Sequence, residues 1–343
     1  MLSRLSTLNL SRTFPNHVRT LASAGHDVDA LAASFKGYYV HKNMLMPDPK
    51  LKQTNDVKGK TAFISGGSRG IGLDIAKKLA AGGANVVLAA KTVEEQKNLP
   101  GTIFTAAEEC NALGGGGKAI PIQMDLRNEE SVQAAFDKTI EEFGSLDILV
   151  NNASAIHIEP SETIDMKRYD LMHSINGRGT FLATKLAIPH LKKGENSHVL
   201  TLSPPLDSTL SVPNWFKLTG TAYITAKLQM SLQVVGISAE LREHGIGCNG
   251  LWPRTTIATA AVKNMLGGQK MIDKSRTPEI MGDAAYAIFC SDSKRNTGNF
   301  WVDDEVLVSV GTRDFSKYRV NQDTPEHELI PEFADAVKEM TAT

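Results

Sequence analysis

The chain has 343 residues, of which 41% are hydrophobic, 22% charged and 6% aromatic, and its formal net charge is -1. This composition is typical of a soluble globular protein, and it excludes a global electrostatic attraction to nucleic acid or to an acidic membrane. No apolar run of about 18 residues is present, so no membrane span is predicted.

The first 21 residues have the composition of a mitochondrial transit peptide. Three arginines stand among serines, threonines and leucines, and the first acidic residue of the chain is Asp27. A basic, acid-poor, amphipathic segment of this kind predicts targeting to the mitochondrial matrix, although a disordered basic tail is the alternative. Residues 22–57 are interpreted as an arm that lies on the main domain or on a partner.

Between residues 58 and 310, short apolar segments alternate with segments of helical periodicity. The predicted strands are 61–65, 85–90, 119–124, 146–150, 198–202, 246–251 and 300–302. The predicted helices are 73–80, 105–113, 131–143, 169–191, 222–244 and 283–290. This alternation predicts one α/β domain of the Rossmann type, with a doubly wound, parallel, seven-stranded sheet and helices on both faces. The polar segment 311–343 is predicted to be a surface extension.

A glycine-rich turn, residues 65–72, joins the first strand to the first helix. Its sequence is Ser-Gly-Gly-Ser-Arg-Gly-Ile-Gly. A strand, a glycine turn and a helix in this order place a pyrophosphate at the helix N-terminus, where backbone N–H groups face the ligand. We therefore predict a dinucleotide site in this turn. Its residues are Gly66, Ser68, Arg69, Gly70, Ile71 and Gly72.

The end of the second strand bears on the choice between NAD and NADP. NAD sites usually place a carboxylate there, on the ribose. This strand ends in Ala-Ala-Lys91, and Arg69 lies inside the glycine turn. Two cations without a carboxylate suit a 2′-phosphate, so the sequence favours NADP(H) over NAD(H). The alternative is that Lys91 is an ordinary solvated charge.

Tyr223 and Lys227 form a candidate acid–base pair. They are four residues apart in the predicted helix 222–244, which places them on one helix face. A phenol has a pKa of about 10, and a neighbouring cation favours the phenolate. The pair is therefore predicted to donate a proton to a carbonyl or to accept one from an alcohol.

These motifs together resemble the short-chain dehydrogenase/reductase family, from about Lys60 to Val302. Asn-Asn-Ala-Ser at 151–154 resembles the family's Asn-Asn-Ala-Gly after the fourth strand, and Met-Asp-Leu at 124–126 resembles the segment whose acid meets the adenine ring. The resemblance implies further cofactor contacts from Asp125, Leu126, Asn152, Ala153, Tyr223, Lys227, Pro253 and Thr256.

The resemblance also implies a catalytic tetrad of Asn176, Ser203, Tyr223 and Lys227. Ser203 would polarise a ketone oxygen, Tyr223 would protonate it, and Lys227 would lower the pKa of Tyr223 and bind the nicotinamide ribose. Asn176 would hold a water that links Lys227 to solvent. The implied function is an NADP(H)-dependent oxidoreductase that interconverts a carbonyl and an alcohol, in a homo-oligomeric protein.

The substrate is less well specified by the sequence. Apolar residues that could line its cavity, or belong to the core instead, are Ile156, Leu206, Leu210, Trp215, Phe216 and Trp252. An apolar lining suits a lipid- or steroid-like carbonyl. His157 and His173 are interpreted as surface or packing residues. The three cysteines are widely spaced, so no metal site is predicted and they are interpreted as reduced, buried thiols.

Three departures from the family pattern leave other functions open. Ser65 opens the glycine turn where threonine is usual, and Arg254 replaces a glycine after Pro253. In addition, 19 residues separate Ser203 from Tyr223, more than is usual in the family. The alternatives are a non-catalytic subunit of a larger mitochondrial assembly and a cofactor-binding sensor. A closer likeness points to a subgroup that typically carries a C-terminal sterol-carrier domain, and we expect the segment after Val302 to be too short for one.

Overall fold

The computed structural model describes residues 51–329, apart from residues 96, 98, 207–215 and 217–218. The predicted transit peptide, most of the predicted arm and the last part of the predicted extension lie outside the described residues. The same holds for two predicted substrate residues, Leu210 and Trp215.

Seven parallel strands form one sheet in the order β3-β2-β1-β4-β5-β6-β7. The strands are β1 (Thr61–Ser65), β2 (Asn85–Ala90), β3 (Ala119–Gln123), β4 (Ile148–Asn151), β5 (His198–Leu202), β6 (Gly247–Trp252) and β7 (Phe300–Val302). The strand order reverses between β1 and β4, which is the point where doubly wound sheets bind ligands. The prediction of a Rossmann-type, seven-stranded parallel sheet is confirmed.

Helices connect the strands and cover both faces of the sheet. They are α1 (Gly70–Ala81), α2 (Ile103–Asn111), α3 (Glu129–Phe143), α4 (Met166–Met172), α5 (Thr180–Leu191), α6 (Thr221–Leu241), α7 (Ala260–Val262), α8 (Gly268–Asp273), α9 (Glu279–Phe289) and α10 (Asp303–Ser309). None of the helices described is both long and apolar enough to cross a membrane.

Alternate residues of the strands build two apolar cores. Ile64 of β1 packs in a core with α1 and α9, whereas its neighbour Phe63 packs in a second core with α3 and α5. This alternation follows from the two-residue period of a strand, and it explains why the strands are apolar throughout. Phe63 also stacks on Phe136 of α3, with ring centres 4.4 Å apart.

The helical region predicted for residues 169–191 is divided into three parts. Helix α4 is followed by a π-helix, His173–Gly179, and then by α5. A π-helix closes its hydrogen bonds over five residues instead of four, and such turns are frequent at functional sites. The predicted tetrad residue Asn176 lies within this widened turn.

The C-terminal extension is partly buried. Tyr318 is 1% exposed, lies in the core with α1 and α9, and donates its hydroxyl to Asp283 at 2.6 Å. Tyr318 is therefore an exception within the predicted surface extension, because a single aromatic residue among polar neighbours produces no periodic pattern. At the other end, Leu51 and Val57 of the predicted arm are buried in the same core.

Candidate active site

A cleft of about 1590 Å³ opens at the carboxyl ends of the strands. Its walls come from the glycine turn, from the segments that follow β2, β3, β4 and β6, and from α6. The predicted site residues that line it are Gly66, Ser68, Arg69, Gly70, Ile71, Lys91, Asp125, Leu126, Asn152, Ala153, Tyr223, Lys227, Pro253 and Thr256. The fold therefore brings together residues that lie nearly 200 positions apart in the sequence.

The glycine turn packs tightly against the segment after β4. Asn152 donates its side-chain amide to the carbonyls of Ser65 at 3.1 Å and Gly66 at 2.9 Å. A Cβ atom on Gly72 would lie 2.4 Å from the Asn152 amide nitrogen and 2.5 Å from the Gly66 carbonyl. Gly72 therefore contributes by permitting this approach, since it is not among the residues that line the cleft.

The first turn of α1 leaves backbone donors available to a ligand. Arg69 precedes the helix in an extended conformation and its side chain makes no capping hydrogen bond. The first N–H groups of a helix have no partners within the helix, and they attract anions. The glycine turn thus has the backbone geometry of a phosphate site.

The Arg69 side chain is already engaged by the protein. Its guanidinium donates to the carbonyls of Leu99 at 3.1 Å, Pro100 at 3.0 Å and Gly101 at 2.5 Å. These three residues follow β2, and Leu99 and Pro100 line the cleft. Arg69 therefore holds the segment after β2 in place. The sequence-based case for a 2′-phosphate counts Arg69 as an available cation, but its guanidinium is already bound by these carbonyls.

Charged side chains gather at the end of the cleft formed by β2 and β3. Lys91 is 70% exposed, and its ammonium lies 3.7 Å from the Asp125 carboxylate. Arg127 binds that carboxylate through both of its oxygens and lowers the pKa of Asp125 to about 2. Lys97 lines the same end. Lys97 and Arg127 are not among the residues predicted from the sequence, although their positions after β2 and β3 are a signal for them.

Ser203 and Lys227 are buried at the opposite end of the cleft. Ser203 follows β5, is fully buried behind Leu202 of the cleft lining without lining the cleft itself, and its hydroxyl has no hydrogen-bond partner among the described residues. Lys227 donates to the carbonyl of Leu202, the residue before Ser203, and its ammonium lies 5.3 Å from the centre of the Trp252 ring. Burial lowers the pKa of Lys227 to about 7. Tyr223, one turn earlier on α6, is half-buried and lines the cleft.

Asn176 is fully buried behind the lining of the cleft. Its side chain accepts from the backbone N–H of Ala155 at 2.8 Å and donates to the carbonyl of the same residue at 3.0 Å. These bonds fix the segment after β4 next to Ser154 and Ile156, which both line the cleft. The expectation that Asn176 holds a water remains a prediction.

The predicted substrate residues divide into two groups. Ile156 and Trp252 line the cleft. Leu206 and Phe216 instead pack against Ile224 and Leu228 of α6, so for these two the core interpretation is correct. Apolar lining residues that the sequence analysis missed are Ile158, Leu171, Ile175, Met265 and Met271.

Other candidate chemical groups lie outside the cleft. His157 pairs with Glu159 at 2.8 Å, and His173 stacks on Tyr169 with ring centres 4.1 Å apart. The three cysteines are free and buried, and burial raises the pKa of Cys110 and Cys248 to about 12. Within the described ranges, no group of three or more His, Cys, Asp or Glu side chains could hold a metal ion.

These features fit a dinucleotide cofactor. The uncapped start of α1 offers backbone donors to a pyrophosphate, and the close approach at Gly72 keeps the turn open to it. At the far end, Tyr223 and Lys227 line the cleft beside the buried Ser203, whose hydroxyl has no partner among the described residues.

Comparison with known proteins agrees with this geometry. The family model described as short chain dehydrogenase matches residues 60–269. Hydroxysteroid dehydrogenase-like protein 2 of Danio rerio is 48% identical over 298 residues, which cover 85% of this chain and 69% of the relative. The Xenopus tropicalis protein of the same name is 49% identical over 283 residues, 82% of this chain and 65% of its own length. The chain thus spans about two thirds of the curated relatives it matches.

Solved structures show the same fold. A putative dehydrogenase from Xanthomonas campestris has a TM-score of 0.75 and 44% identity, covering 81% of this chain and 98% of its own. A short chain dehydrogenase from Burkholderia cenocepacia, solved with NADP, has a TM-score of 0.60 and 26% identity over 72% of this chain and 97% of its own. Carveol dehydrogenase from Mycobacterium avium, solved with NAD, has a TM-score of 0.61 and 24% identity, covering 73% of this chain and 97% of its own.

The resemblance inferred from the motifs is therefore confirmed, and two of these structural neighbours were solved with a nicotinamide dinucleotide. With a family match over more than half of its length and close relatives over four fifths of it, the chain belongs to the short-chain dehydrogenase/reductase family of oxidoreductases.

Proposed function

We propose that the protein is an NADP(H)-dependent oxidoreductase that interconverts a carbonyl and an alcohol on an apolar, lipid- or steroid-like substrate. The observation that carries this proposal is that Tyr223 and Lys227 line the cleft together, with the Lys227 ammonium bound to the carbonyl of Leu202, next to the buried Ser203. The name of the hydroxysteroid dehydrogenase-like relatives supports a substrate of this class.

The three side chains have complementary tasks in this reaction. A bound nicotinamide supplies the hydride chemistry. The Ser203 hydroxyl donates a hydrogen bond to the substrate oxygen, where negative charge develops. Tyr223 transfers a proton to or from the same oxygen, and a positive charge on Lys227 favours the phenolate of Tyr223. Because burial lowers the pKa of Lys227 to about 7, its charge depends on pH near neutrality.

The preference for NADP(H) is supported by the charges at the adenosine end. Lys91, Lys97 and Arg127 come from the segments after β2 and β3, and Lys91 and Lys97 are exposed. Two carboxylates line the cleft, Asp74 of α1 and Asp125, and Asp125 is already bound by Arg127. A 2′-phosphate would therefore meet cations at this end.

Two further properties are part of the proposal. The composition of residues 1–21 supports the mitochondrial matrix as the location. Exposed apolar side chains on α5 and α6, Phe181 at 53% and Leu232 at 60%, support association of copies through these helices.

The variants Tyr223→Phe and Ser203→Ala test the reaction. With NADPH and a panel of apolar ketones, we expect kcat to fall roughly 10²–10⁴-fold for Tyr223→Phe and about 10²–10³-fold for Ser203→Ala. Ser203→Ala should not lower the melting temperature appreciably, since the Ser203 hydroxyl makes no hydrogen bond within the described protein. Wild-type kcat in both folded variants would exclude the proposed roles, and cofactor binding without turnover of any ketone by the wild type would favour a sensor.

A further inference from the structure

We propose that the C-terminal segment, residues 315–329, positions the loop at the nicotinamide end of the cleft, and that Arg276 is the positioning residue that connects the two. The loop, here called the β6 loop, comprises residues 253–259. This inference rests on the proposed function only for the orientation of the cofactor, with its nicotinamide beside Tyr223. It does not depend on the identity of the substrate or on the choice between NADP and NAD.

The β6 loop lies at the reactive end of the cleft because of the strand order. Strand β6 pairs with β5, so the loop after β6 begins beside Ser203, which follows β5. Pro253 and Thr256 of this loop line the cleft. The adenosine end is built by β2 and β3, on the far side of the glycine turn. A dinucleotide bound at that turn therefore extends its nicotinamide towards the β6 loop.

The backbone of residue 276 joins the β6 loop to the C-terminal segment. Arg276 forms a parallel bridge with Ile257 on one side and an antiparallel bridge with Arg319 on the other. Four backbone hydrogen bonds make up these bridges: Arg276 N–H to Thr256 O at 3.0 Å, Ala258 N–H to Arg276 O at 2.8 Å, Thr277 N–H to Tyr318 O at 2.6 Å and Val320 N–H to Ser275 O at 3.1 Å. Residues 256–258, 275–277 and 318–320 are thus paired side by side. Of these three described segments, only 256–258 lines the cleft.

The Arg276 side chain is held by the same C-terminal segment. It is 3% exposed, and its guanidinium pairs with Glu326 and lies 5.4 Å from the centre of the Phe315 ring. On its other side Asp304 of α10 lies 3.6 Å away, and the same carboxylate binds Arg254 of the β6 loop at 3.1 Å. A buried charge keeps its position only while its partners are in place, so the C-terminal segment determines where Arg276 sits.

A hydroxyl contact reinforces this connection close to the cleft. Thr256, which lines the cleft, lies 2.8 Å from the hydroxyl oxygen of Ser275, the residue next to Arg276. Loss of an Arg276 partner should therefore displace residues 256–258 and the nicotinamide subsite. The adenosine end should be unaffected, because no hydrogen bond or ion pair found among the described residues joins the residues that follow β2 and β3 to the C-terminal segment.

The test compares a whole cofactor with its adenosine half. We would measure dissociation constants by titration calorimetry for wild type, Glu326→Gln and Arg276→Lys, using NADP⁺ and 2′,5′-ADP, or NAD⁺ and 5′-AMP if the protein uses NAD. We expect the dissociation constant of the dinucleotide to rise about threefold to tenfold in both variants. That of the adenosine half should not change.

Glu129→Gln is the matched control. Glu129 of α3 pairs with Arg178 at 3.9 Å in an exposed ion pair, so its substitution should change the affinity for neither ligand. Glu326 is 47% exposed, so its substitution is compatible with folding. An equal loss of affinity for both ligands, or unchanged affinity for the dinucleotide in folded variants, would overturn the inference. A wild-type protein that binds neither dinucleotide would overturn the proposed function and the inference with it.

Discussion

Individual side chains at the two ends of the cleft differ in what holds them. At the adenosine end, Asp125 is fixed by Arg127, whereas Lys91 projects into solvent. At the reactive end, Ser203 has a fixed position but no protein partner among the described residues. Lys91, which is 70% exposed and pairs with Asp125 at 3.7 Å, and Ser203 are therefore the side chains whose substitution should change ligand binding without disturbing the fold.

Lys91→Glu should reverse the preference between the two cofactors. The change places a carboxylate near the 2′ position, where it repels a phosphate and can accept a hydrogen bond from a ribose hydroxyl. We expect kcat/KM with NADPH to fall at least about tenfold and that with NADH to stay equal or rise, since one tenfold step requires only about 1.4 kcal/mol. Steady-state kinetics with both cofactors measures this.

Lys58→Glu is the control for the change of charge, because Lys58 does not line the cleft. An unchanged NADPH preference in Lys91→Glu would mean that Lys91 is a solvated surface charge, as its exposure alone allows.

Part of this residue-level picture could be predicted from the sequence. The spacing of Tyr223 and Lys227 is local and therefore recognisable, and the glycine turn is recognisable because it stands between an apolar strand and a helix. The remaining cofactor residues, such as Asp125 and Asn152, are implied by the family resemblance. The engagement of Arg69 could not be predicted, since its acceptors are carbonyls about 30 residues further along the chain. Backbone carbonyls carry no sequence signal, so only the folded structure shows which of them face a given cation.

Within single elements, two glycines have opposite roles in their helices. Gly72 in α1 cannot accept a methyl group without a clash, whereas a Cβ on Gly236 of α6 would meet nothing within 4 Å. Gly72→Ala should lower the free energy of unfolding by about 1–3 kcal/mol through overpacking and weaken cofactor binding, because Asn152 would be displaced from the turn. Gly236→Ala should raise that free energy by about 0.5–1 kcal/mol.

Chemical denaturation and cofactor titration of both variants check this prediction. Full cofactor affinity in a stable Gly72→Ala protein would show that the turn tolerates the added methyl group.

The elements themselves were predicted with unequal success for a physical reason. Strands buried on both faces are visible as apolar runs, so all seven were located. The π-helix at His173–Gly179 was read as continuous α-helix, because one widened turn barely alters a hydrophobic pattern with a period of 3.6 residues. The packing of residues 315–329 was missed because it depends on backbone pairing and ion pairs, which leave no periodic pattern.

At the scale of the whole molecule, buried basic groups couple stability to pH. Burial lowers the pKa of His198 to about 4 and that of Lys227 to about 7, from ordinary values of 6.5 and 10.5. Between the folded and unfolded pKa of each group, the unfolded chain binds more protons. The free energy of unfolding therefore rises with pH, from about pH 4 to 6.5 for His198 and from about pH 7 to 10.5 for Lys227.

Lys227→Met should remove the second of these contributions. In the cofactor-free protein, the free energy of unfolding should rise less steeply with pH in the variant than in the wild type. Between pH 7.5 and 9.5, we expect its slope to be smaller by up to about 1.4 kcal/mol per pH unit. The slope between about pH 4 and 6.5, which His198 governs, should be unchanged. Urea unfolding across this pH series measures both slopes. If the free energies of unfolding of the two proteins changed in parallel with pH above pH 7, Lys227 would keep its charge in the folded state.

The strand order also has a consequence for synthesis on the ribosome. Strand β1 is central, β2 and β3 add outward on one side, and β4 to β7 add outward on the other. Each new strand therefore finds its pairing edge already present when it emerges, and no strand has to insert between two others. The phosphate-binding half can form once β4 and Asn152 have left the ribosome, about 70 residues before Tyr223 appears. A nascent chain could thus meet its cofactor before it can carry out any chemistry.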